Sequence, residues 1–191
     1  MARYQVGIQT EARILEATRE MLAEVGLEGT TLKAICDRAG IQAGSFYNLF
    51  DSKEEAVLRV VREAIRAVDP HPDGEGTDTV DDLVDAYIAF LTEEPELARI
   101  YVQIAISSGT ADSAVGSRFL HHHGERVRRF ADAMHRAQPG PTTETSTADA
   151  EVLIGALDGL AFRWALDPVF DFAAHARLAA GRFGGIPDAR V

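Results

Sequence analysis

Residues 30–53, TTLKAICDRAGIQAGSFYNLFDSK, constrain this chain more than any other stretch. They read as two short helices joined by a tight turn. The first is expected over about Leu32 to Ala39, with Thr30 or Thr31 as its cap, because a threonine hydroxyl can accept from a free N–H of the first turn. Gly40 follows, where a left-handed backbone costs glycine nothing. The second helix is expected over about Ala43 to Phe50. Leu32, Ile35 and Cys36 on one side, with Ile41, Phe46, Leu49 and Phe50 on the other, form a shared apolar seam. Gln42, Ala43, Ser45, Tyr47 and Asn48 are left largely outward. Two helices of this size around a short Gly-containing turn describe a helix-turn-helix, whose second helix enters the DNA major groove.

Thr31, Ile35, Ala39-Gly40-Ile41, Gly44, Phe46-Tyr47, Phe50 and Ser52-Lys53 stand together in this segment. In that set it resembles the DNA-binding region of the TetR family of bacterial transcription regulators. The likeness covers roughly residues 10–60 at motif level and the remainder only as a helix pattern. Two departures are visible. Gln42 stands where Ser or Thr usually caps the recognition helix, and Leu49 stands where a polar residue is common.

The whole chain fits an all-α protein. Its 191 residues suit one large domain or two small ones, and a 46% hydrophobic fraction suffices for a core. No apolar run nears the roughly 18 residues of a membrane helix, and the N-terminus lacks the apolar segment of a signal peptide. Cys36 is the only cysteine, so no intramolecular disulfide can form. It reads as a small core residue rather than a reactive thiol. A cytoplasmic protein without cofactor is the expectation.

A net charge of −11 argues against nucleic acid until the chain is divided. Residues 1–66 carry nine basic and ten acidic side chains, whereas residues 67–191 carry ten and twenty. The acidity therefore belongs mostly to the C-terminal part. Both lysines of the chain, Lys33 and Lys53, fall in the helix-turn-helix region near helix starts.

In chain order, residues 1–9 are expected as a flexible arm. A first helix over about 10–25 carries Ile14, Thr18, Met21, Leu22 and Val25 on one stripe, and Gly26 ends it. A fourth helix follows Ser52, with Glu55 completing a capping box. Lys53 then lies in the first turn, where a cation opposes the helix dipole by ~0.5 kcal/mol. A DNA phosphate nearby would offset that cost. The helix runs to about residue 68 and spans on the order of 24 Å.

Residues 69–78 form a Pro/Gly/Asp loop. Helix five is expected over about 79–92 and helix six from Pro95. A loop at 107–116 and helix seven over about 117–136 follow, then a linker at 138–147 and helix eight over about 148–166. Asp167 is expected to cap helix nine, with Pro168 at its first position. About nine helices result, with no strand signal. The division is 1–51 as the DNA-binding head and 52–191 as a C-terminal helical domain.

Candidate DNA contacts are Thr31, Lys33, Gln42, Ala43, Gly44, Ser45, Tyr47, Asn48 and Lys53. Tyr47 can donate to a phosphate while its ring covers the seam. The amides of Gln42 and Asn48 suit adenine edges, though each also fits a plain surface position. Gly44 either admits the DNA backbone or packs against the preceding helix. The family resemblance implies a ligand cavity in the C-terminal part, drawing on Tyr87, Tyr101, Ile104, Phe119, His123, Phe130, Met134 and Trp164. Each of these also fits an ordinary core.

Helix eight carries Gly155, Ala156, Gly159 and Leu160, small residues that let another helix approach closely. Helix nine, with Phe170 and Ala173, is apolar on more than one side, as a buried helix is. Burial by a second copy follows, and the resemblance implies a four-helix dimer interface there. His121-His122-His123 excludes a shared metal, since consecutive helical residues point about 100° apart. No Ser-His-Asp set, Gly-rich phosphate loop or paired metal motif is present, so no catalytic or metal site is expected.

The reading is a homodimeric transcription regulator, a repressor that leaves its operator duplex when a small-molecule effector binds. Its rival is a helical ligand-binding protein whose head has lost DNA binding. An all-helical enzyme lacks any constellation to support it.

Overall fold

Apolar residues recur at helical spacing along most of the described chain, and the segments that carry them are helices. The structure is a computed structural model that describes residues 2–69, 76–107, 114–137, 143–167 and 169–183. Among the described residues there are nine helices and no strand. They are α1 (Ala2–Gly29), α2 (Leu32–Ala39), α3 (Ala43–Tyr47), α4 (Lys53–Ala67), α5 (Val80–Glu93), α6 (Pro95–Ser107), α7 (Ala114–Ala137), α8 (Thr143–Leu166) and α9 (Phe172–Phe183). No described helix is long and apolar enough to cross a membrane.

The chain forms two compact units. One comprises residues 1–64 with 96–101, and the other residues 65–95 with 102–191. The boundaries of these compact units fall within α4 and within α6.

In the first unit α1 starts at Ala2, so the expected arm over 1–9 is helix instead. Once a helix has nucleated, each further residue adds a hydrogen bond; no proline precedes Thr10, and the one glycine there, Gly7, weakens the helix without ending it. Gly26 breaks the helical geometry at φ 68° and ψ −175°, and a final turn follows it. The Gly26 carbonyl accepts from both the N–H and the hydroxyl of Thr30, at 3.1 and 2.7 Å. Ile14, Thr18, Met21 and Leu22 are buried as the stripe requires, but Val25 beside the break is exposed.

The second unit is built from α5, α7, α8 and α9 and the segments between them. Thr79 and Asp82 form a reciprocal capping box at the start of α5. Pro95 takes the first position of α6. Helix α8 begins at Thr143, five residues earlier than its apolar pattern indicates. Its inner face buries Ala150, Leu153, Ile154, Leu157 and Ala161.

Helix α9 starts later than expected. Asp167 accepts from the Val169 N–H at 3.3 Å, and the Phe170 N–H donates to the Asp167 carbonyl at 3.0 Å. That turn uses Asp167 locally, so Asp171 becomes the cap, accepting from the Ala174 N–H at 3.0 Å. Pro168, expected to open the helix, lies outside the described residues.

One ionic cluster holds the second unit where the sequence suggests only a loop. Arg129 of α7 donates through Nη2 to Asp69 Oδ1 at 2.7 Å and through Nε to Asp78 Oδ2 at 2.6 Å. Arg136, about two turns further along the same face of α7, donates to the Asp78 carbonyl. The Asp78 side chain is 1% exposed. Donating hydrogen bonds to the Asp69 and Asp78 carboxylates holds the Arg129 guanidinium above even the usual arginine range.

Candidate nucleic-acid interface

The helix-turn-helix is assembled from α2 and α3 much as its residues dictate. Thr31 caps α2, its hydroxyl accepting from the Ala34 N–H at 3.1 Å. Gly40 ends it in the left-handed region at φ 63°. The Ile41 N–H then returns to the Cys36 carbonyl at 3.0 Å, the closing bond of a Schellman cap. A side chain at Gly40 is disfavoured by that left-handed backbone, and its Cβ, 2.9 Å from Arg13 Nη2, would also have to displace the end of the arginine.

Ile35, Cys36, Phe46 and Phe50 are buried in the seam. The Phe46 ring meets Phe50 at 5.5 Å and stands edge-on to Tyr47 at 5.9 Å. Burial pushes the Cys36 thiol upward, as for an inert core residue.

Helix α3 is one turn shorter than its apolar pattern suggests, ending at Tyr47 with Asn48 following. The chain still turns there, because the Leu49 and Phe50 N–H groups both reach the Phe46 carbonyl at 2.9 Å. Gln42 occupies the N-cap position of α3 and makes no side-chain cap bond.

The outward surface contains the expected residues. Gln42, Ala43, Gly44, Tyr47 and Asn48 are exposed, and Ser45 is half-buried. Tyr47 is 58% exposed although its ring edge touches Phe46. A Cβ at Gly44 would meet nothing within 4 Å. Close packing against α2 is therefore not what calls for glycine there.

Lys33 is exposed and pairs with Asp37 at 2.6 Å, one turn along α2. That hydrogen bond raises its pKa above the usual lysine value. A pair so exposed contributes little to stability.

Lys53 is placed differently. Its ammonium donates to the Thr30 carbonyl at 2.7 Å and the Leu27 carbonyl at 3.2 Å. The dipole cost of a lysine opening α4 is thus offset inside the protein, by the carbonyls that close α1. At the same helix start, Ser52 accepts from the Glu55 N–H at 3.2 Å. The Glu55 carboxylate bonds the Asp51 N–H at 2.7 Å rather than that of Ser52. The reciprocal box expected from the sequence is thereby shifted by one residue.

Two further clamps frame the motif, and sequence reasoning missed both. Arg13 donates to the Ala39 and Gly40 carbonyls, the latter at 3.0 Å, holding the turn from α1. Arg38 forms a bidentate pair with Glu24, two bonds of 2.6 Å. The Arg38 hydrogen bond lowers the Glu24 pKa. Separations of 14 and 26 residues leave no local signal for either contact.

The residues expected to line a ligand cavity are distributed. Tyr87 donates to Asp158 Oδ1 at 3.1 Å. Arg126 donates to the same oxygen at 3.1 Å and lies 5.1 Å over the Tyr87 ring. Phe172 packs edge-on against that ring at 5.5 Å. Ile104, Phe130 and Met134 are buried, and Phe119 and Trp164 are half-buried. Tyr101 belongs to the first unit, unlike the other seven. His123 reaches the Glu151 carboxylate of α8 at 3.1 Å. His121 and His122 both face Glu125, whose pKa the His122 hydrogen bond lowers. No group of three or more His, Cys, Asp or Glu able to hold a metal occurs among the described residues.

Of the expected dimer residues, Gly155, Ala156 and Gly159 lie exposed on one side of α8, and Leu160 is half-buried. Val152, Phe162 and Leu166 extend that side as exposed apolar residues. Phe170 is not on α9 but in the turn before it, stacked on His175 at 4.6 Å. Ala173 is half-buried in the first turn of α9.

Comparison with known proteins now bears on this geometry. Residues 14–60 match the model for bacterial regulatory proteins of the tetR family. The chain is 30% identical over 146 residues to the HTH-type transcriptional regulator UidR of Escherichia coli strain K12, covering 72% of each chain. It is 49% identical over 49 residues to the HTH-type transcriptional repressor KstR2 of Mycobacterium tuberculosis strain H37Rv, covering 26% of this chain and 24% of that one. The fold resembles that of the transcriptional regulator FadR from Bacillus subtilis, solved in complex with stearoyl-CoA. There the TM-score is 0.66 at 15% identity, covering 92% of this chain and 99% of the other. With its capped, seam-packed helix-turn-helix, this chain belongs to the TetR family of bacterial transcription regulators, and it is a DNA-binding regulator rather than an enzyme.

Proposed function

We propose that this protein is a homodimeric, cytoplasmic repressor whose hold on an operator duplex is released by a small-molecule effector. The observation that carries the reading is the polar outer face of a fully seamed helix-turn-helix. Thr31, Lys33, Gln42, Ala43, Gly44, Ser45, Tyr47 and Asn48 surround a recognition helix that leaves its apolar side in the core. The exposed Tyr47 hydroxyl suits a phosphate, and Gly44 admits close approach because nothing else fills its space. The Lys33–Asp37 pair is exposed and weak, so Lys33 can exchange a carboxylate for a phosphate. Residues 1–51 serve as the reading head, and residues 52–191 sense and pair.

A relative named as a repressor and a structural neighbour holding an acyl-CoA support the regulatory part. The effector is taken by the C-terminal unit. There the Tyr87, Arg126 and Asp158 cluster offers the few directional polar groups that an otherwise apolar site needs. Pairing uses the outer side of α8, where Gly155, Ala156 and Gly159 leave room for a second helix.

Two heads then meet half-sites about one turn apart, on the order of 34 Å. Moving such a dimer from 1:99 to 99:1 in favour of release requires about 5.5 kcal/mol of differential effector binding.

The test is a gel-shift titration on a duplex that the protein itself selects from a random-sequence pool. Tyr47→Ala is expected to weaken binding by about tenfold, worth ~1.4 kcal/mol, with the fold and the dimer intact. Equal affinity for the variant and the unmodified protein would count against the assigned face.

A further inference from the structure

Lys53 opens α4 in the motif that marks the DNA-binding head, yet its ammonium is engaged within the protein. We propose that Lys53 serves DNA binding as a positioning residue. It ties the start of α4 to the end of α1 and so fixes the turn that presents Thr31 and Lys33, instead of meeting a phosphate itself. The inference rests on the DNA-binding reading above and assigns one residue of that face a different task.

Three observations carry it. First, an ammonium has three donors, and two of them lie on the Thr30 and Leu27 carbonyls at 2.7 and 3.2 Å. The Glu54 carboxylate stands 4.0 Å from the same ammonium. Second, the accepting carbonyls are those a helix end leaves without partners. To reach a phosphate, Lys53 would have to leave two charge-assisted bonds, the stronger kind, and uncover those carbonyls. Third, the two lysines of the chain differ in setting. The Lys33 side chain is 86% exposed and that of Lys53 only 25%.

The consequence for the motif is direct. Thr30 is buried, and its hydroxyl and N–H are already bound to Gly26. With its carbonyl held by Lys53, Thr30 is fixed at three points. Thr31 follows it immediately and starts α2 with its cap bond. The direction in which α2 leaves α1 is therefore set partly from α4.

The test compares Lys53→Met, which keeps the apolar stem and removes the donors, with the unmodified full chain. Affinity for the duplex selected by the unmodified protein is measured against salt, at a temperature where both proteins are fully folded. Each phosphate contact contributes about 0.9 to the slope of log affinity against log salt. Positioning predicts binding weaker by about tenfold with the slope unchanged. It also predicts faster amide hydrogen exchange over residues 30–34 in the variant without DNA. A slope shallower by about one unit, unchanged affinity or unchanged exchange would overturn the proposal.

Should the variant fail to fold, the unmodified complex still decides. A through-bond coupling between the Lys53 Nζ nitrogen and a DNA phosphorus would overturn the assignment, and its absence from a resolved Lys53 signal supports it. If the unmodified protein selects no duplex at all, the DNA-binding reading fails by itself. The exchange comparison then still judges the anchor.

Discussion

The two units close their apolar surfaces to different extents. In the head, Phe46, Ile35, Phe50 and Cys36 are gone from solvent, and what α3 shows outward is Gln42, Gly44, Tyr47 and Asn48. Helix α8 of the second unit is apolar on two sides. Leu153, Ile154 and Leu157 are buried, while Val152, Phe162 and Leu166 opposite them are exposed. A single copy completes the first core and leaves an outer face of the second uncovered. The difference teaches that one chain suffices to shape the reading head, whereas the second unit presents a face suited to another protein surface. It also explains why α8 has so little amphipathic signal of its own, since both of its sides are apolar for different reasons.

The comparison can be broken most severely from inside the head. Phe46→Ala empties the centre of the seam and is expected to cost about 4 kcal/mol. It should lower the denaturant midpoint of the head and abolish DNA binding together. A variant with an unchanged midpoint would mean that the seam is not the head's core.

On the other side, a Cβ at Gly159 has nothing within 4 Å, so Gly159→Leu is expected to fit the single chain but to obstruct a second helix. The expected outcome is a monomer by sedimentation equilibrium with full helical circular dichroism. The intrinsic helix propensity improves by roughly 1 kcal/mol, from replacing glycine. A dimer that persists would assign the exposed face of α8 to something other than self-pairing.

The smallest effect concerns the Arg38–Glu24 clamp. The Glu24 pKa is lowered in the folded state by its hydrogen bond to Arg38. The clamp's contribution is therefore present above the unfolded carboxylate pKa and is lost as pH falls through the folded one. Glu24→Gln should lower the melting temperature slightly at neutral pH, and the gap to the unmodified protein should close on acidification. A gap that stays constant into the acidic range would show that the carboxylate charge is not what holds α2.

Much of this architecture was legible in the residues. The Thr31 cap, the Gly40 stop and the outward set around Tyr47 follow from local chemistry and lie where local chemistry puts them. Boundaries failed where two local signals compete. Asp167 and Asp171 are equally good caps, and only the turn at Val169 and Phe170 decides between them. The N-terminal residues contain Gly7 and few apolar anchors, so their helix is visible only as a continuation of α1. The long-range clamps were not legible at all. Arg13, Arg38 and Lys53 find partners 14 to 27 residues away, at separations that no periodicity records. The ligand set was the least readable part, because Phe130 and Met134 as core look the same in sequence as Phe130 and Met134 beside a cavity.

The Arg129 cluster has a bearing on how this chain tolerates change. One guanidinium grips Asp69 at the end of one helical segment and Asp78 at the threshold of the next. Whatever lies between them starts and finishes at anchored points, so the connection itself need not align the helices. Doubling its length should cost only about 0.6 kcal/mol in closure entropy. Insertions between Asp69 and Asp78 are therefore expected to leave both margins in place, whereas Arg129→Met removes the staple that joins them.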